Sequence, residues 1–154
     1  MAIAIGQTQR TSSAFSTSDT VAFGTAPGAS DLIVLGLYKE SSSTVTIPSG
    51  FTRINSTYLN TGGNYQTTIC YKYNDTGNSY AFSWTGNAVH QAWGITWSGC
   101  DSSTPIDVEG ASWQEANFTG LTVTGVTTLT DNAVHLVCAW NSATNSASAL
   151  SGYT

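Results

Sequence analysis

Hydrophobic residues along this chain recur at every second position, and no stretch keeps a helical period for three turns. In "SYAFSWT", Tyr80, Phe82 and Trp84 fall on one face, with Ala81, Ser83 and Thr85 on the other. In "AVHQAWGITW", Val89, Trp93, Ile95 and Trp97 share a face opposite the less apolar His90 and Thr96. "TTICYKY" sets Ile69, Tyr71 and Tyr73 against Thr68, Cys70 and Lys72, and "TGLTVTGV" alternates through Leu121 and Val123. "DLIVLGLY" is apolar on both faces, the pattern of a central strand covered on two sides. Turn-forming clusters separate the runs: "APGAS", "NTGGN", "NDTGN", "SGCDSSTP" and "TDNA". The glycines of "LNTGGNYQ" predict a hairpin connection. Strands spaced by roughly 10 to 15 residues with turn signals between them predict an all-β fold. We expect an antiparallel, jelly-roll-like β-sandwich, one domain spanning residues 1–154.

One phrase recurs. Asp31 to Thr52 is 22 residues and Asp131 to Thr154 is 24; each opens on Asp, runs through an apolar strand and ends in Ser-Gly-aromatic-Thr. In the first copy Pro48 ends a strand, Gly50 permits a sharp corner, and Phe51 is expected to plug the interior. In the second, Gly152 keeps the corner and Tyr153 supplies the plug. Pseudo-equivalent halves would need a further strand after Tyr153, supplied by a neighbouring subunit or by chain beyond Thr154.

Charge changes the picture more than size does. Only 8% of residues are charged, against about 25% in typical globular domains. Twenty serines and 24 threonines carry the surface polarity instead. Hydroxyls that find a partner cost far less to bury than ions, so such a surface suits subunit or sugar contacts. The net charge of −5, with basic residues scattered at Arg10, Lys39, Arg53 and Lys72, argues against nucleic acid. No segment has the ~20 apolar residues of a membrane helix. "MAIAIGQTQR" lacks the basic start of a signal peptide and reads as a strand, with Met1, Ile3 and Ile5 on one bulky face available for contact. Cys70, Cys100 and Cys138 have no metal-like spacing and read as reduced thiols.

Catalytic signals are sparse. His90 and His135 each close a copy of "NAVH", with no G-x-S-x-G elbow or similar context, so satisfied structural roles are expected. Asp101, Asp107 and Glu109 in "CDSSTPIDVEG" miss the EF-hand spacing, and Asp101 reads as an Asx-turn residue. No pair of carboxylates stands out as a glycosidase dyad. No catalytic residue, metal ligand or cofactor is assigned. Among five tryptophans and seven tyrosines, Trp113, Tyr58 and Tyr65 are the candidates for sugar stacking, while Trp84, Trp93 and Trp97 lie on strand faces that read as core.

The order of signals "ASDLIVLGLYKESSSTVTIPSGFTRI", "TTICYKYNDTGNSYAFSWTGN" and "AWGITWSGCDSSTPID" resembles a β-sandwich module of bacteriophage virion proteins, found in head decorations, fibres and tail-associated proteins. The likeness covers Ala29 to Asp107 and, through the repeat, Thr119 to Thr154. Its motifs are structural corners, so it implies a fold and a virion setting and transfers no catalytic residue. Chains of that family continue past the second corner with further strands, which this sequence lacks. The resemblance, the single domain and the absence of a coiled-coil stalk imply a non-enzymatic capsid decoration (cement) protein located in the virion and assembled in the host cytoplasm. The expected partners are other copies of the chain, as a trimer, and the major capsid or another virion protein. Met1, Ile3, Ile5 and Tyr153 are the expected interface residues. The alternative is the carbohydrate-binding head of a tail fibre or adhesin, recognising a cell-surface glycan. Neither nucleic acid nor membrane is an expected partner.

Overall fold

The computed structural model describes residues 2–12, 14–59, 65–110, 127–129, 133, 134 and 136, with backbone only for 55–59. Regular structure among them is entirely β: β1 (Ala4–Arg10), β2 (Ala14–Ala22), β3 (Leu32–Lys39), β4 (Thr52–Leu59), β5 (Tyr65–Tyr73) and β6 (Ser79–Ser98). The all-β antiparallel expectation holds. The six strands form a single sheet in the order β1-β6-β3-β5-β4, with β2 pairing the first half of β6 and β1 the second. A sandwich of two separate sheets, or a jelly roll, is not seen among the described residues.

The long strand explains the difference. The runs "SYAFSWT" and "AVHQAWGITW" are one 20-residue strand that bends where Gly86 takes φ +78°. That left-handed conformation is open to glycine and strained for other residues. Opposite it, the register of β2 shifts between Ser16 and Ser18, as at a bulge that turns a strand. Val21 is paired with Tyr80, yet its Cγ1 lies 2.7 Å from where a Cβ on Gly94 would stand. Fourteen residues of straight strand would span about 46 Å, so the two halves of β6 must face each other. One curled sheet thereby makes both layers of its own core.

The interior holds Val21 of β2 and Phe23 just after it, Ile33, Leu35 and Leu37 of β3, Cys70 of β5, and Tyr80, Phe82, Trp84, Ala88 and Ala92 of β6. β3 is central and buried on both faces, as its pattern predicts. A second cluster on the opposite side joins Leu32, Val34 and Trp97 to Ile3, Ile69, Tyr71, Tyr73, Trp93 and Ile95. β4 and β5 form the predicted hairpin, with Leu59 opposite Tyr65.

The Pro48–Phe51 corner is a tight turn. The Phe51 amide donates to the Pro48 carbonyl at 3.2 Å, and Gly50 has φ +77°. Positive φ at the third position marks a type II turn. It drives Phe51 into the core, 8% exposed and edge-on to Tyr80 with 5.1 Å between ring centres. Replacing Gly50 with alanine should cost about 1 to 2 kcal/mol, the left-handed penalty for an L residue. A thermal melt would register it, at about 2 to 4 °C per kcal/mol for a chain of this size.

Candidate functional site

Alternation along three strands brings polar residues into the interior as one row. Lys39 of β3 lies between Gln66 of β5 and His90 of β6 in the register, and all three are buried. The Lys39 Nζ donates to the Ser41 carbonyl at 2.7 Å and to Ser43 Oγ at 3.3 Å. Burial pushes the Lys39 ammonium below its ordinary pKa. One strand over, Arg53 donates to the Val45 carbonyl at 2.7 Å and to Thr68 Oγ1 at 3.3 Å. Two basic side chains thus pin residues 41–45, and a bridge between Thr46 and Ser83 carries the segment onto β6.

His90 is 2% exposed. Nδ1 stands 2.9 Å from the Ala88 carbonyl, which only accepts, so Nδ1 carries a hydrogen. Nε2 faces Asp19 Oδ2 at 3.7 Å, beyond hydrogen-bond length. That carboxylate accepts from Thr11 Oγ1 at 2.6 Å, and Thr11 Oγ1 accepts from the Ala92 amide at 2.8 Å. The Trp84 ring closes the other side, 4.8 Å between centres. An acid and an imidazole therefore do meet, a juxtaposition the sequence did not announce. Thr11, the hydroxyl bonded to that carboxylate, is tied at both ends. The cluster fastens β1, β2 and both halves of β6. His135 lies outside the described residues.

The other candidates resolve into structure. Asp101 Oδ1 accepts from the Ser103 and Thr104 amides at 2.6 and 3.1 Å, the expected Asx turn, and these bonds hold its carboxyl below the usual range. Asp107 Oδ2 accepts from the Leu129 amide at 2.7 Å. No group of three or more His, Cys, Asp or Glu able to hold a metal occurs among the described residues. Among those residues no helix is long and apolar enough to cross a membrane. Tyr65 stacks on Tyr38 at 5.9 Å between centres, with the rings inclined by 16°. Trp113 and the Tyr58 side chain lie outside the described residues, as do Met1, Gly152 and Tyr153. Of the expected interface residues, Ile3 packs within its own chain, while Ile5 on edge strand β1 is 58% exposed.

One surface stands out. The outward side chains of β2 and of the first half of β6 are Ser, Thr, Ala and Asn, with Phe15 directly opposite Val89. Phe15 is 66% exposed and Val89 37%. Asp19, the ionisable residue of β2, turns inward to Thr11 and His90. The result is an uncharged, hydroxyl-rich face with an apolar pair at one end. Comparison with known proteins adds nothing to this geometry: no family model, no curated protein and no solved structure matches the chain.

Proposed function

We propose that this chain is a non-enzymatic structural protein of a bacteriophage virion, a capsid decoration protein that acts through protein–protein contacts. The observation that supports this reading is the uncharged face of β2 and β6. Desolvating hydroxyls costs far less than desolvating charges, so such a face suits burial against another protein. The motifs of the family likeness are spent on architecture: Phe51, Phe82 and Trp84 are buried, and Asp101 caps a turn. Tyr65, the sugar-stacking candidate with a described side chain, has Tyr38 stacked on it, so the glycan reading gains no support.

The test is co-sedimentation of the purified chain with empty shells of the major capsid protein from the same genome. Saturable binding at a fixed ratio of chains per shell is expected. No binding to shells, together with selective retention on a glycan array, would replace this reading with the fibre-head alternative.

A further inference from the structure

We infer that the outer face of β2 and the first half of β6 binds a second copy of this chain, Phe15 meeting Phe15 across a two-fold axis. Pairing of copies deepens the assembly reading and rests on it for its purpose.

The charge pattern selects the occupant. With nine acidic and four basic residues, two copies repel wherever their acidic surfaces meet. The β2–β6 face carries no ionisable side chain, so two copies can meet there without opposing like charges. Glu40 stands at its rim: its amide donates to the Val89 carbonyl, but its carboxylate accepts from the Tyr38 hydroxyl at 3.2 Å.

Hydroxyls make the face complementary to itself. A serine or threonine both donates and accepts, so a row of them satisfies an identical row run in the opposite direction. Ser18, Thr20, Ser79 and Ser83 are all exposed and lie opposite one another or opposite alanine in the antiparallel register. At one end Phe15 and Val89 supply the apolar contact, which the hydroxyls would shield from water once a partner is seated. Phe15, 66% exposed, and Val89, 37% exposed, offer the apolar area that a seated second copy would cover.

Sedimentation velocity of the whole chain from about 1 μM to about 1 mM, the range in which weak pairs equilibrate, tests the inference. The wild type should sediment faster as concentration rises. Phe15→Asp and, separately, Val89→Asp should weaken that association about tenfold or more, because each places a like charge on both sides of the contact. Thr8→Asp, on the exposed part of β1, should leave it unchanged, and circular dichroism would establish that every variant is folded. A wild type that stays monomeric throughout overturns the inference, as does association that persists in both Asp variants or protection of Phe15 by capsid shells alone. Shell co-sedimentation of the same variants separates this claim from the previous one. A monomeric Phe15→Asp chain that still binds shells leaves both standing. A wild-type dimer that ignores shells defeats only the virion reading.

Discussion

A Gly94→Val chain is expected to lose at least about 3 kcal/mol of stability, with Gly94→Ala losing about 1 to 3 kcal/mol, the range for overpacking a filled core. A Cβ at Gly94 would stand 2.7 Å from Val21 Cγ1 and 2.8 Å from both Leu35 Cδ2 and Phe23 Cζ. All three side chains are buried, so none can retreat into solvent. Next to it in the register, Gly36 faces the opposite side of the sheet and lies beneath the Trp93 indole, its cross-strand partner. Any side chain at 36 would displace that ring, so Gly36→Val belongs in the same class as Gly94→Val. Gly24→Ala is the control: nothing stands within 4 Å of its Cβ position, and its effect should stay within about 0.5 kcal/mol. Urea denaturation measures all four. Equal midpoints for Gly94→Val and Gly24→Ala would mean that β6 does not fold its two halves together as described.

Those glycines also mark where the sequence stopped being readable. The phase of each strand was legible: Tyr80, Phe82 and Trp84 share a face, and Thr68 and Cys70 oppose Ile69 and Tyr71. Which face is more deeply buried was not. His90, Thr96, Thr68 and Cys70 are nearly or fully inaccessible, while Val89 is exposed and Ile69, Tyr71, Trp93 and Ile95 are half-buried. The reversal has a steric cause. Once β6 bends at Gly86, its first half and β2 bring Phe82, Trp84, Val21 and Phe23 into the interior, leaving the facing strands room for small residues such as Ala92 and Gly94. Alternation reports only polarity within a strand, whereas burial here depends on Val21, paired with the first half of β6, packing over Gly94 in the second half. The Pro48–Phe51 corner was legible because its conformation is local. Asp19 beside His90 and Arg53 on the Val45 carbonyl were not, because both depend on the curl. The second corner, at Gly152 and Tyr153, lies outside the described residues.

Lys39→Met should lose stability relative to the wild type as pH rises through the range where the buried amine gives up its proton, a trend that urea titrations from about pH 6 to about pH 10 would reveal. The sequence carried one hint, since Ile33, Leu35, Leu37 and Lys39 are in phase, but a lysine is rarely buried. Instead Lys39 is fully buried, and its Nζ has two acceptors, the Ser41 carbonyl and Ser43 Oγ. A neutral amine has two N–H groups and is satisfied there; an ammonium has a third. Burial accordingly lowers the pKa from the ordinary 10.5. Between the folded and unfolded values the unfolded chain binds more protons, so this lysine's contribution to stability rises with pH across that window and its cost is fully present below it. Methionine keeps the packing and removes the cost, but it leaves both acceptors without their donor. We expect the balance to favour methionine most at low pH and to pass to a loss of about 1 kcal/mol once the wild-type amine is neutral in both states and its hydrogen bonds count in full. Cys70 and Tyr80, which burial pushes up to about 12 each, reduce stability as the solution becomes alkaline, because the unfolded chain releases those protons first. They do so equally in both proteins and cancel in the difference. Parallel wild-type and Lys39→Met curves across the range would show that Lys39 keeps an ordinary, solvated charge.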